Sequence, residues 1–374
     1  MLRLRPTATG GGLGVSLAIS ADGGSGLPTA TPETIEEAAG LMANLPAGGD
    51  RIRIHGGGSH RGIGYPVTSD VILSTSGLDR VVAWEPDDLT VVVEAGVLVE
   101  ELEEMLASKG QTALLPEQPG TGTVGGAIAT AISGWRRYRY GPIRDRVLET
   151  TLVSSDGRVV TAGGRVVKNV TGYDIPRLAT GSLGAMGLIA RVCLKLWPAP
   201  QASATVPVES PEEALEVAYR PLAVLETREG AAVFLGGTPE EVAGQAAALG
   251  AEPASGLNWP SQPAGAVRFS VRTPPSFLRG IVDRLDPDWT YLAQFGVGEV
   301  TVGAGEVDLE ELGALRGRAE SLGGALVMLD APPSLAGAFD PWGTPPPSIE
   351  IQRRVVNLFD PGRRINRGIL PGRI

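Results

Sequence analysis

The chain has 374 residues, 42 Asp and Glu against 32 Lys and Arg, and a net charge of −10. A hydrophobic fraction of 43% excludes global disorder, and the acidic balance argues against general nucleic-acid binding, which needs basic surface to displace counterions. One cysteine permits no internal disulfide and no Cys-ligated zinc or iron–sulfur cluster within the chain, and two histidines argue against a multi-histidine metal centre, so no metal site is expected.

In chain order, residues 1–27 read as a loose lead-in, with Arg3 and Arg5 before a run too interrupted by glycine for a signal peptide. A helix is expected from Thr31 as cap, with Pro32 in its first turn, to about Asn44. Arg51–Ile54 alternates as a short strand and feeds the glycine-rich run His55–Gly62. Val71–Leu73 and Leu89–Glu94 read as strands, and Val99–Lys109 as an amphipathic helix ended by Gly110. A second glycine run, Gly120–Gly126, leads into small residues as far as Ser133. Val147–Ser155 and Arg158–Ala162 predict a hairpin about Asp156-Gly157. A third run, Gly181–Gly187, enters the strand Leu188–Leu196, and Pro198-Ala199-Pro200 marks a domain boundary.

Beyond it, helical patterns at about 211–219, 239–249, 274–285 and 308–322 alternate with apolar strands at about 231–236, 266–271, 291–302 and 325–329. That rhythm predicts a ferredoxin-like α+β layer. Pro332–Pro347 reads as a link and Val355–Ile374 closes the chain. No run of eighteen apolar residues exists, so no membrane span is expected and the chain reads as soluble and cytoplasmic.

With 52 Gly and 30 Pro, turn-forming types fill about a fifth of the chain, against a usual ~12%. The prolines punctuate; the glycines gather in the three runs. Gly56–Gly62 follows a strand and offers main-chain N–H groups unobstructed by Cβ atoms, a nest suited to phosphate oxygens or else a plain surface loop. Gly122–Gly126 and the small residues after it let a flat ligand lie against backbone, or serve close packing. Three such runs in one domain favour a long dinucleotide threaded through it. The Trp135–Tyr140 segment, with Arg136, Arg137 and Arg139, could take an anion or a protein partner, or be a solvated basic turn. Lys168–Asp174 is polar between apolar segments and reads as ligand-facing.

Together these segments resemble the FAD-binding domain of the vanillyl-alcohol-oxidase (p-cresol methylhydroxylase, PCMH) type, and within it the FAD-binding subunits of multi-subunit glycolate oxidases. The resemblance rests on Ile54–His60, Thr123-Val124-Gly125-Gly126, Tyr140–Asp145, Gly163–Asp174, Gly181–Gly184 and the tail Phe359-Asp360-Pro361 with Asn366. It implies an α+β fold, with a two-subdomain PCMH-type FAD-binding domain over 28–200 and a smaller ferredoxin-like cap over 201–330. Residues 331–374 would then be a linker and a segment returning to the FAD domain. It implies that Gly56, Gly57, Gly58, Ser59 and His60 hold the pyrophosphate. Pro119, Gly122, Thr123, Gly125, Gly126, Ser133, Gly134, Tyr140 and Gly141 would line the adenosine and ring channel, and Gly184, Gly187 and Ile189 would carry a third contact strand.

Gly58 stands where relatives that attach flavin covalently place histidine, so non-covalent FAD is expected. The proline usual after the tail asparagine is Arg367 here. Residues 201–374 contain no histidine, the usual substrate-holding residue of the superfamily's hydroxy-acid dehydrogenases. The resemblance therefore implies a flavin subunit in a complex with a second FAD-domain subunit and an iron–sulfur subunit, acting on a small 2-hydroxy acid and peripheral to the inner membrane through its partners. Alternatives are a self-sufficient dehydrogenase or oxidase using Arg268, Arg272 or Tyr291, and a non-catalytic scaffold subunit. No catalytic base is assigned.

Overall fold

A computed structural model of the protein describes residues 19–21, 26–44, 51–116, 122–165 and 172–374. The first strands are β1 (Ile19–Ala21), β2 (Pro28–Ala30), β3 (Ile52–His55) and β4 (Val71–Ser74), in a sheet of order β1-β2-β4-β3. β2 and β3 each run parallel to β4. Helix α1 (Ile35–Asn44) buries Ile35, Ala38, Leu41 and Met42, a helically spaced stripe in one core with Ile52 and Leu73. It starts later than the sequence predicts. Thr34, not Thr31, accepts the Glu37 N–H on its hydroxyl at 3.0 Å, and Pro32 lies outside the helix.

The next layer contains β5 (Val81–Glu85), β6 (Thr90–Glu94), α2 (Val99–Ala107), β7 (Gln111–Thr112), α3 (Val124–Thr130), α4 (Arg137–Tyr140), β8 (Val147–Val153), β9 (Val159–Gly163), α5 (Ile175–Ala179) and β10 (Leu188–Lys195). Five strands form an antiparallel sheet, β5-β6-β10-β8-β9, and the β8–β9 hairpin closes with Val153 opposite Val159, as expected from Asp156-Gly157. Leu102 and Leu106 of α2 and Val124 and Ile128 of α3 share a core with Val91, Val93, Val192 and Leu194 of the sheet.

After β11 (Trp197–Pro198), which pairs with β7, the chain enters an eight-stranded antiparallel sheet. Its first unit is β12 (Ala202–Val208), α6 (Pro211–Val217), β13 (Ala223–Thr227), β14 (Gly230–Gly237), α7 (Pro239–Leu249) and β15 (Ala254–Ser255). Its second is β16 (Val267–Arg272), α8 (Arg279–Val282), β17 (Thr290–Phe295), β18 (Glu299–Ala304), α9 (Leu309–Ser321) and β19 (Ala325–Asp330). The order β15-β12-β14-β13-β17-β18-β16-β19 makes each half a βαββαβ unit with its strands in the order 4-1-3-2, joined where β13 pairs with β17. The ferredoxin-like layer read from the sequence is thus present twice. The single strand expected over 291–302 is a hairpin, turning through Gly296 and Gly298 at φ +79° and +82°.

Helix α10 (Pro333–Ala338) lies within the expected link, and α11 (Ile349–Phe359) precedes the tail. The tail runs beside β3: the Ile52 N–H donates to Arg364 O at 2.8 Å and the Asn366 N–H to Ile52 O at 2.9 Å.

Candidate cofactor site

Strand β3 delivers the first glycine run at its C-terminal end, where the Thr75 N–H, just past β4, donates to His55 O at 2.9 Å. A Cβ at Gly56 would stand 2.5 Å from Thr123 Oγ1. That hydroxyl is already used: it accepts the Gly126 N–H at 3.1 Å and caps α3. The first and second runs therefore touch backbone to side chain, an approach that only glycine allows. The third run is tied in by the tail. Buried Asn366 accepts the Ile54 N–H at 3.0 Å and donates through Nδ2 to Leu183 O at 2.6 Å. Gly184 follows at φ +74°, and a Cβ there would stand 2.7 Å from Asn366 Nδ2.

These contacts leave a cavity of about 850 Å³. Of the residues expected from sequence, Gly56, Gly57, Gly58, Ser59, His60, Thr123, Gly125, Gly126, Gly184, Gly187 and Ile189 line it. Gly122 lines a small cleft beside it, shared with Ser59, His60 and Thr123. Four others point their bonding elsewhere. Ser133 Oγ accepts the Ile143 N–H at 3.1 Å, Gly134 O accepts the Arg137 N–H at 3.1 Å, and Gly141 O accepts from Arg146 Nη1 at 3.0 Å. Tyr140 packs its ring on Trp197, centroids 5.1 Å apart. Pro119 and the Lys168–Thr171 part of the polar run lie outside the described residues.

Sequence reasoning missed Arg53, Arg61, Thr75, Thr130 and Leu183, which also line the cavity. Arg53 alternates with Ile52 and Ile54 along β3, the one signal that placed its side chain on a distinct face. The described lining holds Arg53, His55, His60 and Arg61 and no carboxylate. Burial, and then the neighbouring Arg61, lower the Arg53 pKa. His60 is pushed down to about 4, by burial first and then by Arg268 of the eight-stranded sheet, with Asp330 opposing. It is therefore neutral at pH 7, with Nδ1 2.9 Å from Ser59 Oγ. The site is an uncharged-histidine, two-arginine pocket walled by bare backbone, chemistry that fits a phosphate-bearing ligand with a flat body.

The other residues weighed on the eight-stranded sheet have structural partners. Arg272 gives Nε and Nη2 to Glu299 Oε1, both at 3.1 Å, and Tyr291 donates its hydroxyl to Glu226 at 2.7 Å. The basic aromatic segment proves to be a clasp between the layers. Trp135 is buried with Leu222, Leu225, Phe234 and Leu292, Arg137 pairs with Glu299 at 3.2 Å, and Arg139 donates to Gly236 O at 2.6 Å.

Fold and site define an FAD-binding domain, and residues 28–163 match the family model described as FAD binding domain. Those residues are similar to a PCMH-type FAD-binding domain, and the cofactor that this match supports is FAD. Among individual proteins, it is 36% identical over 154 residues to glycolate oxidase subunit GlcE of Escherichia coli K12, covering 40% of this chain and 43% of that one. It is 30% identical over 224 residues to a D-lactate dehydrogenase of Archaeoglobus fulgidus (57% and 49%). It is likewise 30% identical over 144 residues to glycolate oxidase subunit GlcD of Bacillus subtilis (38% and 30%). The chain thus spans less than half the length of these curated relatives. An alkyldihydroxyacetonephosphate synthase structure shares the fold, at TM-score 0.62 and 16% identity over 91% of this chain and 75% of that one.

Proposed function

We propose that this chain is the FAD-binding subunit of a 2-hydroxy-acid dehydrogenase complex of glycolate oxidase type, handing electrons from a small 2-hydroxy acid to a partner subunit. The observation that carries this reading is the convergence of three glycine runs on a cavity whose described lining is cationic and holds no carboxylate. Two relatives named as glycolate oxidase subunits and one named D-lactate dehydrogenase support the substrate class.

In this reading Gly56–His60 hold the pyrophosphate on main-chain N–H groups. Gly122, Thr123, Gly125, Gly126, Gly184, Gly187 and Ile189 face the flat parts of the cofactor. Ser133, Gly134, Tyr140 and Gly141 frame the loop behind, and Pro119 belongs with the second run. Bound FAD supplies two-electron acceptance from the substrate and onward transfer to an acceptor. His60 is neutral and already bonded to Ser59, Tyr291 is committed to Glu226, and residues 201–374 offer no histidine. The base that takes the hydroxyl proton is therefore assigned to a second FAD-domain subunit, with an iron–sulfur subunit as acceptor. FAD is held non-covalently. Residues 28–200 act as the FAD domain, 201–330 as cap, and 331–374 as link and returning tail. No described helix is long and apolar enough to cross a membrane, in keeping with a cytoplasmic complex docked at the inner membrane through its partners.

The self-sufficient alternative is favoured by one observation, the Arg268 charge acting on His60 at the cavity. Purifying the full chain separates the two. The complex reading expects a yellow protein that releases FAD on denaturation, stays oxidised with glycolate or D-lactate, and is reduced when its sister subunits are added. Reduction of the lone chain by either acid would establish the alternative, and a colourless chain that takes up no FAD would end both.

A further inference from the structure

A second cavity, of about 930 Å³, adjoins the first and has no part in the reading above. Ile63 and Val67 of the loop after the glycine run form one side. Met328 of β19, Leu335 of α10 and Phe339 form the other, and Ile369 of the tail closes it. Arg53 and Arg61 stand at the edge shared with the first cavity.

Their surroundings are unusual for a pair of like charges. Among the described residues neither forms an ion pair with a carboxylate. Arg53 gives Nη2 to the Arg61 carbonyl at 3.3 Å, and among the described residues the Arg61 guanidinium meets no acceptor. The remaining polar wall residue, Tyr65, donates its hydroxyl to Asp340, which also accepts the Trp342 and Gly343 N–H groups. Arg61 is exposed and Arg53 half-buried, so a neutral hydrocarbon would engage neither guanidinium. A second polyanion would find no donors among the apolar walls. A planar carboxylate matches the guanidinium fork, and an alkyl chain matches the rest.

We propose that this cavity binds a monocarboxylate with an extended apolar chain, its head on Arg53 and Arg61 and its chain between Val67, Met328, Leu335 and Phe339. The proposal stands apart from the assignment of the 2-hydroxy-acid complex, because it concerns a separate cavity.

The test is calorimetric titration of the FAD-loaded full chain with butyrate, hexanoate, octanoate and decanoate below their micellar concentrations, and with decanol. Saturable binding is expected to tighten roughly fourfold per added methylene. Decanol should bind at least tenfold more weakly than decanoate. Ala331→Phe, which fills the cavity from a wall residue that does not touch the first one, should weaken decanoate at least tenfold while the 450 nm absorbance is retained. Arg61→Gln should weaken decanoate and leave decanol unchanged. Failure of decanoate to saturate a yellow protein, or equal affinity for decanol, overturns the proposal and leaves the FAD reading intact. So does an Ala331→Phe protein of unchanged melting temperature that still binds decanoate as the wild type does. A colourless chain that nevertheless binds decanoate has the opposite meaning, sinking the FAD reading alone.

Discussion

A single methyl group at position 56 would sit 2.5 Å from the Thr123 hydroxyl that caps α3. Gly56→Ala is therefore expected to displace either the loop or the cap, at about 1–2 kcal/mol, and to weaken FAD at least tenfold. The ratio of 450 to 280 nm absorbance after gel filtration reads this, and a wild-type ratio would rule it out. His60 gives the site a pH dependence whose sign is fixed. The folded protein holds its pKa near 4 through burial and Arg268, whereas the unfolded chain takes the proton near 6.5. Above pH 6.5 both states are neutral and stability is full. Between 6.5 and 4 only the unfolded state gains the proton, so stability falls with pH, by about 1–2 kcal/mol at pH 5 after allowance for partial exposure. His60→Gln should flatten that slope in urea midpoints measured at pH 7.5 and 5; a slope equal to the wild type's would count against it. At this scale the glycines were legible, because close backbone approach demands them in the sequence itself. Arg53 and Arg61 were not, since a charge in a strand or loop reads equally well as a solvated face.

At the scale of elements, local pattern was a sound guide where it was uninterrupted and failed where tertiary contact decides. The β8–β9 hairpin announces itself through Asp156-Gly157. Strand β13 does not, because its Glu226 reads as polar surface, yet its carboxylate is buried on Arg279 and Tyr291. The β17–β18 pair was merged because Gly296 and Gly298 interrupt an otherwise apolar run too briefly to mark a turn. The tail is the element on which the site leans most. Asn366 satisfies the Ile54 N–H and the Leu183 carbonyl, backbone groups of two residues that both line the cavity. Asn366→Ala orphans both, and should cost roughly 2–4 kcal/mol in denaturant unfolding and release FAD on dilution. Full FAD retention in that variant would mean that the tail merely covers the sheet edge.

Over the whole molecule the two layers are held by a clasp that no single-sequence pattern reveals, since its meaning lies in what it meets. Trp135 enters an apolar face of the eight-stranded sheet, with Trp259 at 5.3 Å, while Tyr138 packs against Gly296 in the β17–β18 turn. Glu299 is the charged centre of the clasp: it accepts from Ser270 at 2.8 Å, from Arg272 at 3.1 Å and from Arg137 of the FAD domain at 3.2 Å. Burial alone would raise its pKa, but Arg272, Ser270 and Arg137 outweigh burial and hold it below the usual carboxylate range. Its contribution is therefore complete above the unfolded pKa of about 4.5 and is lost as pH falls below it, adding to the acid lability set by His60. Glu299→Ala leaves Arg137 and Arg272 facing each other without a counter-charge, a loss of roughly 1–3 kcal/mol because half of the Arg272 side chain lies in water. The two cores, one of the FAD domain and one of the eight-stranded sheet, share few of these contacts and should survive it. Glu299→Ala is thus expected to melt in two steps where the wild type melts in one, with new proteolytic cleavage near Pro198–Ala202, one of the two covalent passages between the FAD domain and the eight-stranded sheet. Trp135→Ala should do the same through the apolar half of the clasp. A single transition at the wild-type temperature in both variants would show that the layers are joined by other contacts, and the clasp would then be only a place where they touch.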